Sequence, residues 1–203
     1  INISSPNTPG LRALQDEGAL DALLAGVAAA RTPGGPPVWL KIAPDLSDEQ
    51  IEGIVRAAMA HRLDAIIMGN TTVSRPPLHA ADAGEGGGLS GAPLAPLALD
   101  RLGVLRAASG GAIPLIAAGG VASAEDVWAR MRAGASLTQL YSALVYEGPL
   151  LARHIVRGLR VKLEALMEAL AEQFGTAAEF DDPPGGIFLW VKLPDSVDTM
   201  KLY

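Results

Sequence analysis

The sequence predicts an α/β fold: part of a (β/α)8 barrel, about five strand–helix units, followed by a short α+β tail. Three observations carry this. The apolar runs at 38–42, 63–68, 113–118 and 137–141 lack in–out alternation, as strands buried on both faces do. Helical stretches alternate with them, the pattern of a parallel sheet with helices outside. Polar and small residues gather at the strand ends: Ser4-Ser5, Lys41, Gly69-Asn70-Thr71, Gly119-Gly120 and Tyr141-Ser142. That is the face on which barrels build their sites. A doubly wound sheet fits the alternation too, but it usually carries its Gly-rich turn after the first strand. Here the small residues follow the last two strands, where barrels hold phosphate.

Residues 1–4 read as a strand stub, followed by the turn-rich SSPNTPG. Residues 17–31 are Ala/Leu-rich and helical, and TPGGPP breaks them. Residues 38–42 form a buried strand. Ser47, with Gln50 three positions on, reads as a capping box opening a helix. The stripe Ile51, Ile54, Val55, Ala58 and Met59 follows the 3.6 period. A strand at 63–68 leads into a Gly/Pro-rich loop over 69–93. A helix at 94–108 precedes a strand at 113–118. Ser123 and Asp126 cap the next helix, a strand covers 137–141, and a last helix starts near Pro149. The first residue is Ile1 rather than Met, so the expectation is a fold lacking its front.

Composition excludes several classes of function. The net charge of −6 argues against a nucleic-acid surface. The absence of Cys removes disulfides, thiolate metal sites and cysteine nucleophiles. No apolar run reaches the ~18 residues of a membrane span, and no signal peptide opens the sequence. The composition also shifts along the chain. Residues 1–159 carry 12 cationic and 14 anionic side chains; residues 160–203 carry 4 and 8. All three Phe residues, 174, 180 and 188, lie beyond the shift. This places a boundary near residue 160, with one segment at 1–159 and another at 160–203.

The rare residues mark candidate sites. The chain has three Asn, and Asn2, Asn7 and Asn70 all sit at or after strand ends. An amide that donates and accepts suits a planar ligand bearing amide and carboxylate groups; turn chemistry is the other reading, most of all for Asn7 between prolines. Lys41 is the one Lys before residue 160. On an apolar strand its ammonium either faces a site, where it stabilises negative charge, or snorkels to water. Ser5 alone reads as a loop hydroxyl. His61, His79 and His154 show no ligand spacing and read as structural or solvated. Residues 84–91, GEGGGLSG, fit either a flexible linker or a backbone-donating cofactor loop.

Six blocks then share one likeness. INISSPNTPGLRALQ, VWLKIAPDLS, IIMGNTTVSRP, GGLSGAPL, PLIAAGGVASAEDV and GASLTQLYSALVYEGP together resemble the class 2, quinone-linked dihydroorotate dehydrogenases. The resemblance spans residues 1 to about 158 and corresponds to that family's barrel from its fourth strand onward. It implies oxidation of dihydroorotate to orotate in pyrimidine biosynthesis, with FMN as hydride acceptor and quinone as final acceptor. Ser5 matches the catalytic base. Asn2 matches a position near flavin and substrate, and Asn7, Asn70 and Thr71 match substrate contacts. Lys41 matches the lysine beside the flavin ring, while Gly91, Gly120, Tyr141 and Ser142 match the ribityl and phosphate cradle. Class 1 relatives use Cys where Ser5 stands, so a Cys-free chain agrees with class 2. Gly69 departs from the family, which usually has Thr there in a flavin contact.

The tail differs. RVKLEALMEALAEQFG reads as an amphipathic helix with Leu163, Leu166, Met167, Leu170 and Phe174 on one face, and PPGGIFLWVKLP as a turn into an apolar strand. Residues 160–203 resemble the small C-terminal domain of fold-type I PLP-dependent aminotransferases and carry none of their catalytic residues. The expected function is therefore that of the dehydrogenase family, peripheral to the cytoplasmic face of a membrane. The membrane-contacting extension of that family is not in this sequence, so this chain is expected in the cytoplasm if soluble. The alternatives are a hybrid fragment that binds FMN or phosphate weakly or not at all, and an aminotransferase fragment. Open sheet edges imply self-association.

Overall fold

The computed structural model describes residues 1–78, 84–180 and 191–192. The chain divides into two compact units, Ile1–Leu151 and Ala152–Tyr203. In the first, a 3-10 turn at Leu11–Gln15 precedes α1 (Glu17–Ala30), β1 (Trp39–Ile42), α2 (Asp48–Ala60), β2 (Ala65–Met68) and α3 (Ala95–Ser109). Then come β3 (Leu115–Ala118), α4 (Ala124–Arg132), β4 (Leu137–Gln139) and α5 (Ser142–Glu147). The four strands are all parallel and lie in the order β1-β2-β3-β4. A doubly wound sheet reverses its order at a switch point; this sheet does not, and the barrel reading holds.

Apolar side chains stand on both faces of the sheet. Leu40, Ile42, Ile66, Met68, Leu115 and Ala117 join the helix residues Leu20, Leu24, Ile51, Ile54, Val55, Leu102 and Leu105 in the main core. Ala65, Ile67, Ile116 and Ala118 form a smaller cluster with Trp39 on the other face. Lys41 pairs in register with Ile67 and so shares this inner face. It sits inside β1, on the apolar strand where the sequence places it. Both expected capping boxes are present. Ser47 Oγ accepts from Gln50 N while the Gln50 side chain accepts from Ser47 N, and Ser123 pairs with Asp126 in the same way.

Other expectations need correction. Residues 1–4 form no strand, only an isolated parallel bridge of Asn2 to Lys41. Lys41 N donates to Ile1 O at 2.8 Å, Ile3 N to Lys41 O at 3.4 Å and the amino group of Ile1 to Trp39 O at 2.6 Å, so the fifth strand is reduced to three bonds. The last strand stops at Gln139, and α5 follows with no side-chain cap, hence with no capping signal to read. The helix expected at 94–108 begins as a 3-10 turn, Ala92–Leu94, before α3. His61 is the C-cap of α2 and its Nε2 lies 2.7 Å from Asp21 Oδ1, a structural role. His154 is exposed, and His79 lies outside the described residues.

The second unit contains nearly all of α6 (Leu151–Phe174), which runs unbroken through residue 160. Its buried positions Ile155, Leu159 and Leu163 recur every four residues, whereas Leu166 and Phe174 are exposed. The apolar face expected further along the helix is therefore buried only at its start. Most of the apolar strand expected at 183–194 lies outside the described residues.

Candidate functional site

All the candidate residues belong to the first unit, and the strand ends bring seven of them around one cleft of about 1030 Å³. Lys41, Asn70, Thr71, Gly91, Gly120, Tyr141 and Ser142 line it, and so do Gly69, Ser90, Gly119 and Gln139. Small-molecule sites reach this size and mix apolar walls with a few polar groups. Ser5, Asn2 and Asn7 do not line the cleft but are tied to residues that do. Asn2 Oδ1 accepts from Ser4 Oγ at 2.7 Å, and Ser4 Oγ accepts from Asn70 Nδ2 at 2.8 Å. Asn7 Oδ1 accepts from Gly88 N at 3.1 Å, and Asn7 N donates to Ser5 Oγ at 3.3 Å. The half-buried Ser5 therefore sits in a short loop held at both sides.

Several polar groups in the cleft lack protein partners. The Lys41 ammonium has no carboxylate or carbonyl acceptor among the described residues, and its burial lowers the pKa of the amine. Thr71 Oγ1 is fully covered and makes no hydrogen bond. Ser142 Oγ donates to Ser90 Oγ at 3.1 Å, joining the Gly-rich loop to the start of α5. Gly91, Gly119 and Gly120 all have positive φ. At Gly120 a Cβ would lie 2.5 Å from Ala95 Cα, so only glycine lets the start of α3 approach. The set suits a ligand with an electron-rich planar part near Lys41 and an anionic end near Gly120 and Ser142.

Two residues that tie the site together were not marked as site residues by the sequence. Ser4, fully buried, is the hydroxyl between Asn2 and Asn70. Arg12 joins the start of the chain to the loops after β1 and β2: its Nε donates to Ser4 O at 2.9 Å, one terminal nitrogen to Asp45 Oδ2 at 2.8 Å, and the other to Thr71 O at 2.9 Å. Asp45 also accepts from Thr72 Oγ1 and Val73 N. No spacing rule announces such a residue, because its partners are 8, 33 and 59 positions away. Arg12→Ala is expected to lower stability by about 2 to 3 kcal/mol, since hydrogen bonds to charged groups contribute roughly 1.5 to 3 kcal/mol and three acceptors lose this donor. Urea denaturation checks it. A midpoint equal to the parent's would mean the three loops hold without Arg12.

Lys41 predicts a pH dependence with a definite sign. Its folded-state pKa is lowered, so between that value and the ordinary lysine range the unfolded chain binds the extra proton. Stability contributed by this site therefore rises with pH across that window, and the full burial penalty applies below it. Lys41→Met is expected to be more stable than the parent at pH 7, with the gap narrowing as pH rises toward the ordinary lysine range in paired urea melts. A gap that widens with pH would reverse the assignment.

By fold and site, then, this is part of a (β/α) barrel with a cleft at the carboxyl ends of its parallel strands. The chain belongs to the dihydroorotate dehydrogenase family, whose sequence model matches residues 1–163; the family is one of flavin-dependent dehydrogenases. It is 59% identical over 177 residues to a dihydroorotate dehydrogenase (quinone) of Novosphingobium aromaticivorans, covering 87% of this chain and 51% of that one. The corresponding protein of Sphingopyxis alaskensis is 64% identical over 160 residues, 78% of this chain and 45% of its own. Among solved structures, DHODH from Eimeria tenella in complex with ferulenol superposes with a TM-score of 0.74 at 33% identity, over 80% of this chain and 50% of that chain. The chain spans about half the length of the curated relatives it matches. No helix among the described residues is long and apolar enough to cross a membrane, and no cluster of three or more His, Asp or Glu there could hold a metal ion.

Proposed function

We propose that this chain is the site-bearing part of an enzyme that oxidises dihydroorotate to orotate with FMN, and with quinone as the final acceptor. The observation that carries the reading is the unpartnered, half-buried Lys41 ammonium on the wall of the same cleft that Asn70 and Thr71 line. Bound FMN would supply the hydride acceptor. Ser5 Oγ takes the proton from C5 of the substrate; a serine hydroxyl is a weak base, so this requires a path to water. Asn70 and Thr71 hold the substrate's amide and carboxylate groups, with Asn7 and Asn2 beside them. Lys41 balances negative charge on the ring; Gly91, Gly120, Tyr141 and Ser142 hold the ribityl and phosphate end. Peripheral attachment to a membrane belongs to the same reading, because quinone is a membrane substrate.

The chain supplemented with FMN is expected to hold the flavin, giving bands near 450 nm after gel filtration. In a chain completed with the first half its relatives have, dihydroorotate bleaches those bands without oxygen. A colourless completed protein would remove the reading. Lys41→Ala should weaken FMN binding and slow the bleaching, because a buried positive charge favours negative charge on a reduced ring; an unchanged rate and affinity would return Lys41 to a solvent role. Self-association is part of the proposal. Leu137, Tyr141, Val145 and Tyr146 are exposed along β4 and α5, and an unpaired strand edge invites pairing. Residues 160–203 are proposed as a segment apart from the dehydrogenase portion, on the compositional shift and on the family match ending at 163; their likeness to aminotransferases adds no catalysis.

A further inference from the structure

Arg130 lies on α4 with only 2% of its surface exposed. One terminal nitrogen donates to Gly119 O at 2.6 Å and the other to Asp126 O at 3.0 Å. Its Nε is buried without a partner. The nearest carboxylate gives little compensation: Asp126 Oδ1 is 3.9 Å away, and Oδ2 is taken by Ala122 N, Ser123 N and Ser123 Oγ. A guanidinium sunk this deeply with so little neutralising charge is costly, and burial lowers its pKa. Something must favour keeping it there.

The bond to Gly119 O supplies the reason. Gly119 O and Gly120 N–H belong to one peptide unit, and no peptide in the described chain is cis. In a planar trans unit the carbonyl and the N–H point opposite ways. With the carbonyl pulled onto Arg130, the Gly120 N–H points away from α4, and it has no acceptor among the described residues. Both glycines line the cleft, and both have positive φ, so the turn has no side chains of its own to fix it. Arg130 sets its orientation and places a positive charge behind it that Asp126, at 3.9 Å, only partly offsets.

We infer that Arg130 is a positioning residue for an anionic ligand group, holding the Gly119–Gly120 peptide with its N–H presented to a phosphate and adding long-range attraction from behind the turn. This deepens the reading of Gly120, Tyr141 and Ser142 as the phosphate end of an FMN site, and rests on it.

The test compares FMN with riboflavin, which differ by the phosphate alone, on the full 203-residue chain by flavin-fluorescence titration. The parent should bind FMN more tightly than riboflavin. Arg130→Gln should lose about tenfold in FMN affinity, a change of about 1.4 kcal/mol, while riboflavin affinity stays within about twofold. Arg130→Lys, which keeps the charge, should retain most of the preference for FMN. Ligand-free thermal melts show that each variant is folded; if Arg130→Gln is not, the lysine variant alone decides. Equal losses for both flavins in a folded variant would reduce Arg130 to a packing role and overturn the inference. A parent that does not distinguish FMN from riboflavin would instead overturn the phosphate reading beneath it.

Discussion

Ser5→Ala, made in a chain completed with the first half that its relatives possess, is expected to slow bleaching of bound FMN by dihydroorotate ~10²- to 10⁴-fold, the usual contribution of a positioned general base. FMN itself should stay bound, because Ser5 does not line the cleft. The loop gives the prediction its physical content. Ser5 Oγ accepts from Asn7 N, Asn7 Oδ1 holds Gly88 N, and the carbonyl of Ser4 is held by Arg12. The hydroxyl is thus fixed from two sides without a charged partner that would make it a stronger base. A thiol loses its proton near pH 8.5, so Ser5→Cys should retain part of the rate and shift the pH at which it rises toward that value. A rate for Ser5→Ala within threefold of the parent would remove Ser5 from the chemistry.

What could be read in the sequence was what local rules fix. Continuous apolar runs announced β1, β2 and β3, since buried parallel strands need no alternation. Ser47 with Gln50, and Ser123 with Asp126, announced two helix starts because both partners lie within one turn. The six motif blocks brought seven cleft residues into view before any geometry was known. Features that depend on distant partners were hidden. Arg12 and Arg130 look like ordinary surface cations until their acceptors at Ser4, Thr71 and Gly119 are placed. The four-residue start of the chain reads as a strand by composition, yet only Asn2 bridges to Lys41. The unbroken course of α6 through residue 160 is likewise invisible to a compositional boundary, since a helix continues wherever nothing breaks it.

Gly69 carries the last prediction: restoring the threonine that the family usually has at this position should destabilise the chain by about 2 to 5 kcal/mol. Gly69 has φ +123°, outside the range side chains tolerate, and a residue with a Cβ there costs roughly 1 to 2 kcal/mol. A Cβ would also lie 2.4 Å from the carbonyl oxygen of Ala118. That oxygen is backbone at the end of β3, which pairs with both β2 and β4, so it cannot swing aside as a flexible side chain would. Overpacking of this kind costs roughly 1 to 3 kcal/mol more. Gly69→Ala should therefore cost nearly as much as Gly69→Thr, because the Cβ makes the collision and the hydroxyl adds little. For a chain of this size the melting temperature should fall by at least about 4 °C. The glycine lets β2 and β3 end against each other beneath the cleft, at the expense of the hydroxyl that a threonine would offer to the flavin. A Gly69→Thr chain that melts at or above the parent temperature would mean the two strand ends can part without loss, and that the glycine is not what holds the cleft floor in place.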